Sequence, residues 1–272
     1  MWPHRVFISL WGALPIVLVL LALRPASERE LNGFGIRYGV RPTPDTHFAM
    51  AGYVQRGRRG RLVGAALGLS FYPVLYALGL VIPNQSLLYG ILGYPLGAFV
   101  AAVIPTSRRS GPRSASLTPR RLSDYLPRSV LLAPAVAVVI SACAVVVDRL
   151  EPRAPLPYTS DIMVGLGLSA VAAIATLVAI RIVVARPQPI VSPELLAVDD
   201  AMRAQTLHTL GAAGIAVALW GTATCLLEMG SNAAPAWLHD AGFDAGVVTF
   251  IGSLCAWGIT GASWRVLRTT AQ

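Results

Sequence analysis

Hydrophobic residues in this chain gather into seven long stretches, approximately Val6 to Leu23, Leu62 to Ile82, Ser86 to Pro105, Ser129 to Val147, Ile162 to Ala185, Leu207 to Met229 and Ala245 to Leu267. A helix rises about 1.5 Å per residue and the hydrocarbon core of a bilayer is about 30 Å thick, so a span needs about 20 apolar residues. Each stretch comes close to that length, and none carries a charge near its middle. Arg181 and Glu228 stand nearest, one turn from an end and at a rim, where a long side chain reaches the headgroups by snorkelling. The pattern predicts an all-α fold, a polytopic transmembrane bundle of about seven helices forming a single membrane domain over residues 1–272.

The first stretch also resembles a signal peptide, with Arg5 ahead of an apolar run. That run is longer than the usual signal core of about 7–15 residues, and no clean small-x-small cleavage site follows. A retained helix is therefore expected; its removal leaves six. After it come three consecutive hairpins with short outer connections, the shortest being Pro83 to Gln85. All three begin and end on the same side, so they are related in parallel, unlike the inverted repeats of many transporters.

The segments 24–61 and 106–128 are expected to be irregular cytoplasmic loops, the first mobile and with little periodicity between Gly33 and Asp45. The second and third hairpins share an entry pattern: Thr118-Pro119 ahead of Asp124 and Arg128, and Ser192-Pro193 ahead of Asp199 and Arg203. In both, a hydroxyl residue is placed to cap a helix that proline begins, and the Asp and Arg four apart share a helix face. Leu195, Val198 and Met202 recur at helical spacing, so 192–210 reads as an amphipathic helix running into the sixth span, with His208 near its end as a polar anchor.

Composition changes the picture from a helical protein to a membrane one. Hydrophobic residues make up 55% and charged residues only 13%, with a mean hydropathy of +0.62, whereas soluble domains are about a quarter charged. All 22 basic residues are arginine, a bias that points to a GC-rich bacterial genome and carries no chemistry. Nineteen of them fall on one side if the N-terminus is outside, and only Arg5, Arg149 and Arg153 on the other. Positively charged loops stay in the cytoplasm, so the C-terminus is expected inside, in a bacterial cytoplasmic (inner) membrane. The net charge of +9 then fits a rim against anionic lipid headgroups better than nucleic acid. Cys143, Cys225 and Cys255 all lie in apolar stretches, so neither disulfides nor a zinc site is expected.

Candidate chemistry is sparse. Gly60, Gly64 and Gly68 in the second span and Gly90, Gly93 and Gly97 in the third are spaced for close helix packing. Tyr72-Pro73 and Tyr94-Pro95 place two prolines eleven residues either side of Asn84, at matching depth in one hairpin. Each proline frees a carbonyl, and each hydroxyl needs a partner, so the four residues mark either a small polar pocket or a self-satisfied packing contact. Asp124, Arg128, Asp199, Asp200 and Arg203 mark either a cytoplasmic docking surface or a plain polar collar. No phosphate loop, His-Glu-x-x-His, Gly-x-Ser-x-Gly or intramembrane carboxylate pair is present, so no residue receives a catalytic, metal or cofactor role.

Three functions remain in contention. A non-catalytic subunit, accessory to a membrane complex or a sensor, fits best, with a protein partner at the cytoplasmic loops. A carrier or channel for a neutral or hydrophobic small molecule comes second. A membrane enzyme at the cytoplasmic interface, using Asp124, Asp199, Asp200 and His208, is the weakest.

Overall fold

A computed structural model describes residues 2–77, 86–104, 113–114, 122, 125–150, 160–186, 188–189, 192–232 and 236–263. Among these residues the chain forms eight helices: α1 (Trp2–Leu23), α2 (Glu28–Tyr38), α3 (Pro44–Ala77), α4 (Ser86–Val103), α5 (Arg128–Leu150), α6 (Ser160–Val184), α7 (Pro193–Asn232) and α8 (Ala236–Ser263). A two-residue antiparallel ladder, β1 (Arg113–Ser114) against β2 (Gln188–Pro189), is the only other regular element described. The fold is all-α.

Among the described residues three stretches are long and apolar enough to cross a membrane: Arg128–Leu150, Ile162–Val184 and Pro193–Gly230. Shorter apolar pieces occupy Ala13–Leu23 and Leu92–Val103. That is fewer than the seven spans expected. The second expected span runs beyond α3 into 78–82, outside the described residues, and so do the side chains of 1–12 and of 257 onward, in the first and last spans.

The segment 24–61 differs outright from the expected irregular loop, because it is mostly helix. Ser27 has an extended backbone and closes a capping box: its hydroxyl accepts from the Glu30 N–H (3.3 Å), and the Glu30 carboxylate accepts from the Ser27 N–H (2.8 Å). The helix stops at Gly39, whose left-handed backbone (φ 66°) lets its N–H reach the Gly35 carbonyl. Thr43 then starts α3, its N–H donating to Thr46 Oγ1 (2.8 Å) while Pro44 takes the first helical position. Ser192 caps α7 with its side chain, accepting weakly from Leu195 N–H (3.4 Å), and α7 continues unbroken into the apolar stretch as the amphipathic pattern implied.

The chain divides into two compact units. One comprises Met1–Arg120, Val183–Thr209 and Arg265–Gln272; the other comprises Arg121–Ile182 and Leu210–Trp264. In the first, α3 packs chiefly on α4 and then on α1. Gly60 and Gly64 face Gly93 and Gly97 so closely that a methyl added at Gly64 would lie 2.6 Å from the Gly97 Cα. Small residues let two helix backbones touch where lipid offers no hydrophobic drive for association.

In the second unit α5, α6, the later part of α7 and α8 pack together. Residues 211–218 of α7 are all buried, whereas Val139 of α5, Ile174 of α6 and Val248 of α8 are more than 60% exposed on its apolar outer surface. Ser141, Ser169 and Thr222, one from each of α5, α6 and α7, meet in the interior: Ser141 Oγ lies 3.1 Å from Ser169 Oγ and 3.0 Å from Thr222 Oγ1. Ser169 donates to the Ala218 carbonyl (2.9 Å), and the Ala137 carbonyl lies within reach of both Ser141 and Thr222. Every hydroxyl is thereby satisfied without water, and each interhelical bond of this kind contributes about 0.6–2 kcal/mol. Gly165 and Gly221 bring α6 and α7 together beside this ring.

Candidate functional site

In the first unit, the ends of three helices meet side chains that answer their orphaned carbonyls. An α-helix leaves its last four C=O groups unpaired, and the partial negative charge there favours a cation. At the end of α1, Arg59 Nε donates to the Ala22 carbonyl (3.3 Å), Gln55 Nε2 to the Arg24 carbonyl (3.3 Å), and Arg58 Nη2 to the carbonyls of Arg24 and Pro25 (3.1 Å to the latter). At the end of α4, Arg186 Nη2 donates to the Val103 carbonyl. At the end of α6, Arg203 Nη1 reaches the carbonyls of Val183 (3.4 Å), Val184 (3.3 Å) and Arg186 (2.9 Å). Guanidinium suits this work because its planar fork presents five donors.

Two carboxylates stand among these arginines. Glu30 lies 3.1 Å from Arg58 Nη1, and its carboxyl is held below the ordinary range, first by the Ser27 N–H and then, against the cost of burial, by the Arg58 charge. Asp199 approaches Arg203 Nη2 at 3.5 Å across one helical turn. Arg203 itself is only 7% exposed.

Beside this rim an aromatic and polar cluster ties α2 and α3 to the first part of α7. The Phe34 ring lies 5.1 Å from Tyr38 and 5.9 Å from Tyr53, centroid to centroid. Tyr38 stacks on the buried His208, its hydroxyl 3.4 Å from Nδ1. Tyr53 OH lies 2.9 Å from Thr206 Oγ1, which also reaches the Met202 carbonyl (2.7 Å). Burial holds the Tyr38 phenol well above its usual range. Burial also pushes Tyr53 up to about 12, opposed by the Thr206 hydrogen bond and by the charges of Arg61 and Arg186.

The residues singled out from the sequence are spread over these elements. Tyr72 and Pro73 lie on α3, with side chains outside the described residues; Tyr94 is half-buried and Pro95 buried on α4. Asp124 is outside the described residues. Arg128 is exposed at the start of α5, in the second unit. Asp199 and Asp200 are half-buried on α7, and Arg203 turns inward to the α6 carbonyls. Sequence reasoning did not single out Arg186, Tyr38, Tyr53 or the Glu30–Arg58 pair. Among the described residues, no three His, Cys, Asp or Glu side chains converge as metal ligands.

Comparison with known proteins adds no relative. No family model, curated protein or solved structure matches the chain.

Burial of the Tyr53 phenol is expected to make the first unit sensitive to alkali. The folded Tyr53 phenol titrates at about 12, above its ordinary value of 10.0, so its contribution is complete below pH 10 and is lost as pH rises through 12. Unfolding in detergent is expected to become easier over that interval, and Tyr53→Phe should flatten the dependence; an unchanged slope in Tyr53→Phe would assign the effect to other groups.

Proposed function

We propose that this chain is a non-catalytic integral membrane protein, an accessory or sensor subunit of a complex in the bacterial cytoplasmic membrane. On this reading all seven apolar stretches are spans, the N-terminus is outside, and the arginine-capped rim lies at the cytoplasmic face. Nineteen of 22 arginines on one side support that orientation.

The observation that carries the reading is an ordered helical body on the rim side of the arginines. From Pro44 to Gln55, α3 extends by roughly 18 Å before its basic stretch begins at Arg56, braced by α2 and by the start of α7. Helices of that kind offer a fixed surface, which a mobile loop does not. On it Ile36 and Phe48 are 85% and 88% exposed, in a position to meet a partner. Within the apolar helices, by contrast, the buried hydroxyls of Ser141, Ser169 and Thr222 bond to one another and to backbone, which leaves them no free group for chemistry.

Photo-crosslinking in cells tests this. A photoreactive side chain at Phe48 or at Ile36 is expected to give the same discrete protein adduct, absent when the probe replaces Val139 on α5. Turnover or solute uptake by the purified chain alone, without any partner, would overturn the subunit reading.

A further inference from the structure

We infer that Arg61, Arg186 and Arg203 form a binding site for a phosphate group at the arginine-capped rim, suited to the phosphodiester of an anionic lipid headgroup. The inference rests on the cytoplasmic-rim reading only for which leaflet supplies the lipid.

The three arginines lie near the ends of α4 and α6. Arg203 donates to the backbone carbonyl of Arg186 (2.9 Å), and Arg186 turns its own side chain to Val103 at the end of α4. Arg61 follows Gly60, which packs on Gly97 and Ala101 near the same end of α4, and its Nε donates to the Gly57 carbonyl (3.2 Å); its charge and that of Arg186 both act on Tyr53. Arg203 is buried, and Arg186 and Arg61 are half-buried.

Charge at this place is not balanced by the described residues. Asp199 is the one carboxylate paired with any of the three, and the ends of α4 and α6 each supply about half a negative charge. About one positive charge is left over, which matches the single negative charge of a phosphodiester. Burial, and next the Arg203 charge, pull Arg186 below the ordinary guanidinium range, the strain that an incoming anion would relieve. Donors are also in surplus. Among the described residues Arg186 places one Nη2 hydrogen bond on protein, at Val103, which leaves N–H donors of its fork for the paired contacts that phosphate oxygens accept.

The test uses the purified full-length chain in a neutral detergent, read by thermal unfolding. Short-chain phosphatidylglycerol is expected to raise the midpoint saturably, at a concentration about tenfold or more below that of the matching phosphatidylcholine. Arg186→Gln, which removes the guanidinium charge, is expected to weaken phosphatidylglycerol by about tenfold, as is Arg61→Gln, while the exposed Arg41→Gln is expected to leave it unchanged. Inorganic phosphate acting with the same Arg186 dependence supports the site and assigns it to soluble phosphates instead. Equal effects of the two lipids, or wild-type affinity in both Arg186→Gln and Arg61→Gln, overturn the proposal. If Arg186→Gln does not fold, Arg61→Gln decides. No partner is present in this assay, so its failure is distinct from a failure of the subunit reading.

Discussion

Gly64→Leu is expected to leave little folded protein. A side chain at this position meets the Gly93 carbonyl and comes within 2.6 Å of the Gly97 Cα and 2.8 Å of its nitrogen. Overpacking costs about 1–3 kcal/mol where neighbouring side chains can yield. Here the obstacle is the backbone of α4, which moves only as a helix, so the cost should reach the top of that range or pass it. Against a total stability of about 5–15 kcal/mol, that separates α3 from α4. Recovery of monodisperse protein in detergent and the midpoint of thermal unfolding both report it. Gly52→Leu, on the same helix with nothing within 4 Å, serves as the control and should behave as wild type. A normal midpoint for Gly64→Leu would mean that the two helices are not held as closely as described.

The second large effect belongs to Arg203. Its replacement by methionine keeps the volume but removes the donor that serves Val183, Val184 and Arg186, and leaves Asp199 without its cation. Unanswered buried acceptors cost about 1–3 kcal/mol. A loss of about 3 kcal/mol is expected in all, with proteolytic cleavage first appearing after Val184, where α6 ends. Arg203→Lys should recover less than half, since one ammonium cannot span three carbonyls and a carboxylate. Full recovery in lysine would show that charge alone matters at this position, and not the fork.

Hydropathy located most of the helices because lipid-facing helices are apolar all round, and their lengths follow from the bilayer. The expected spans 129–147 and 162–185 correspond to Arg128–Leu150 and Ser160–Val184. The same signal is blind to α2 and to the first half of α3, where arginine, a good helix former, was read as a sign of loop. Capping chemistry could have found them. Ser27 with Glu30 three residues on, and Thr43 ahead of Pro44, are signals of the kind recognised at Ser192-Pro193.

The rim was half legible. Counting arginines predicts which side they occupy, but not that several turn inward. The carbonyl that Arg58 answers is 34 residues away, and the one that Arg186 answers is 83 away. Such partners depend on which helices end side by side, and no local pattern encodes that. Tyr53 and Thr206, 153 residues apart, were hidden for the same reason.

Thr222 is made long after Ser141, 81 positions further along the chain. At about 5–20 residues per second, α5 waits roughly 4–16 s in the bilayer before α7 is complete. Ser141 can wait at no cost, since its hydroxyl already donates to Ala137 on its own helix. Ser169 has no such bond within α6; its partners are Ser141 and the Ala218 carbonyl of α7. Before α7 exists the partner from another helix open to Ser169 is Ser141 of α5, so this pair is expected to associate first, with α7 captured by a template already waiting for it.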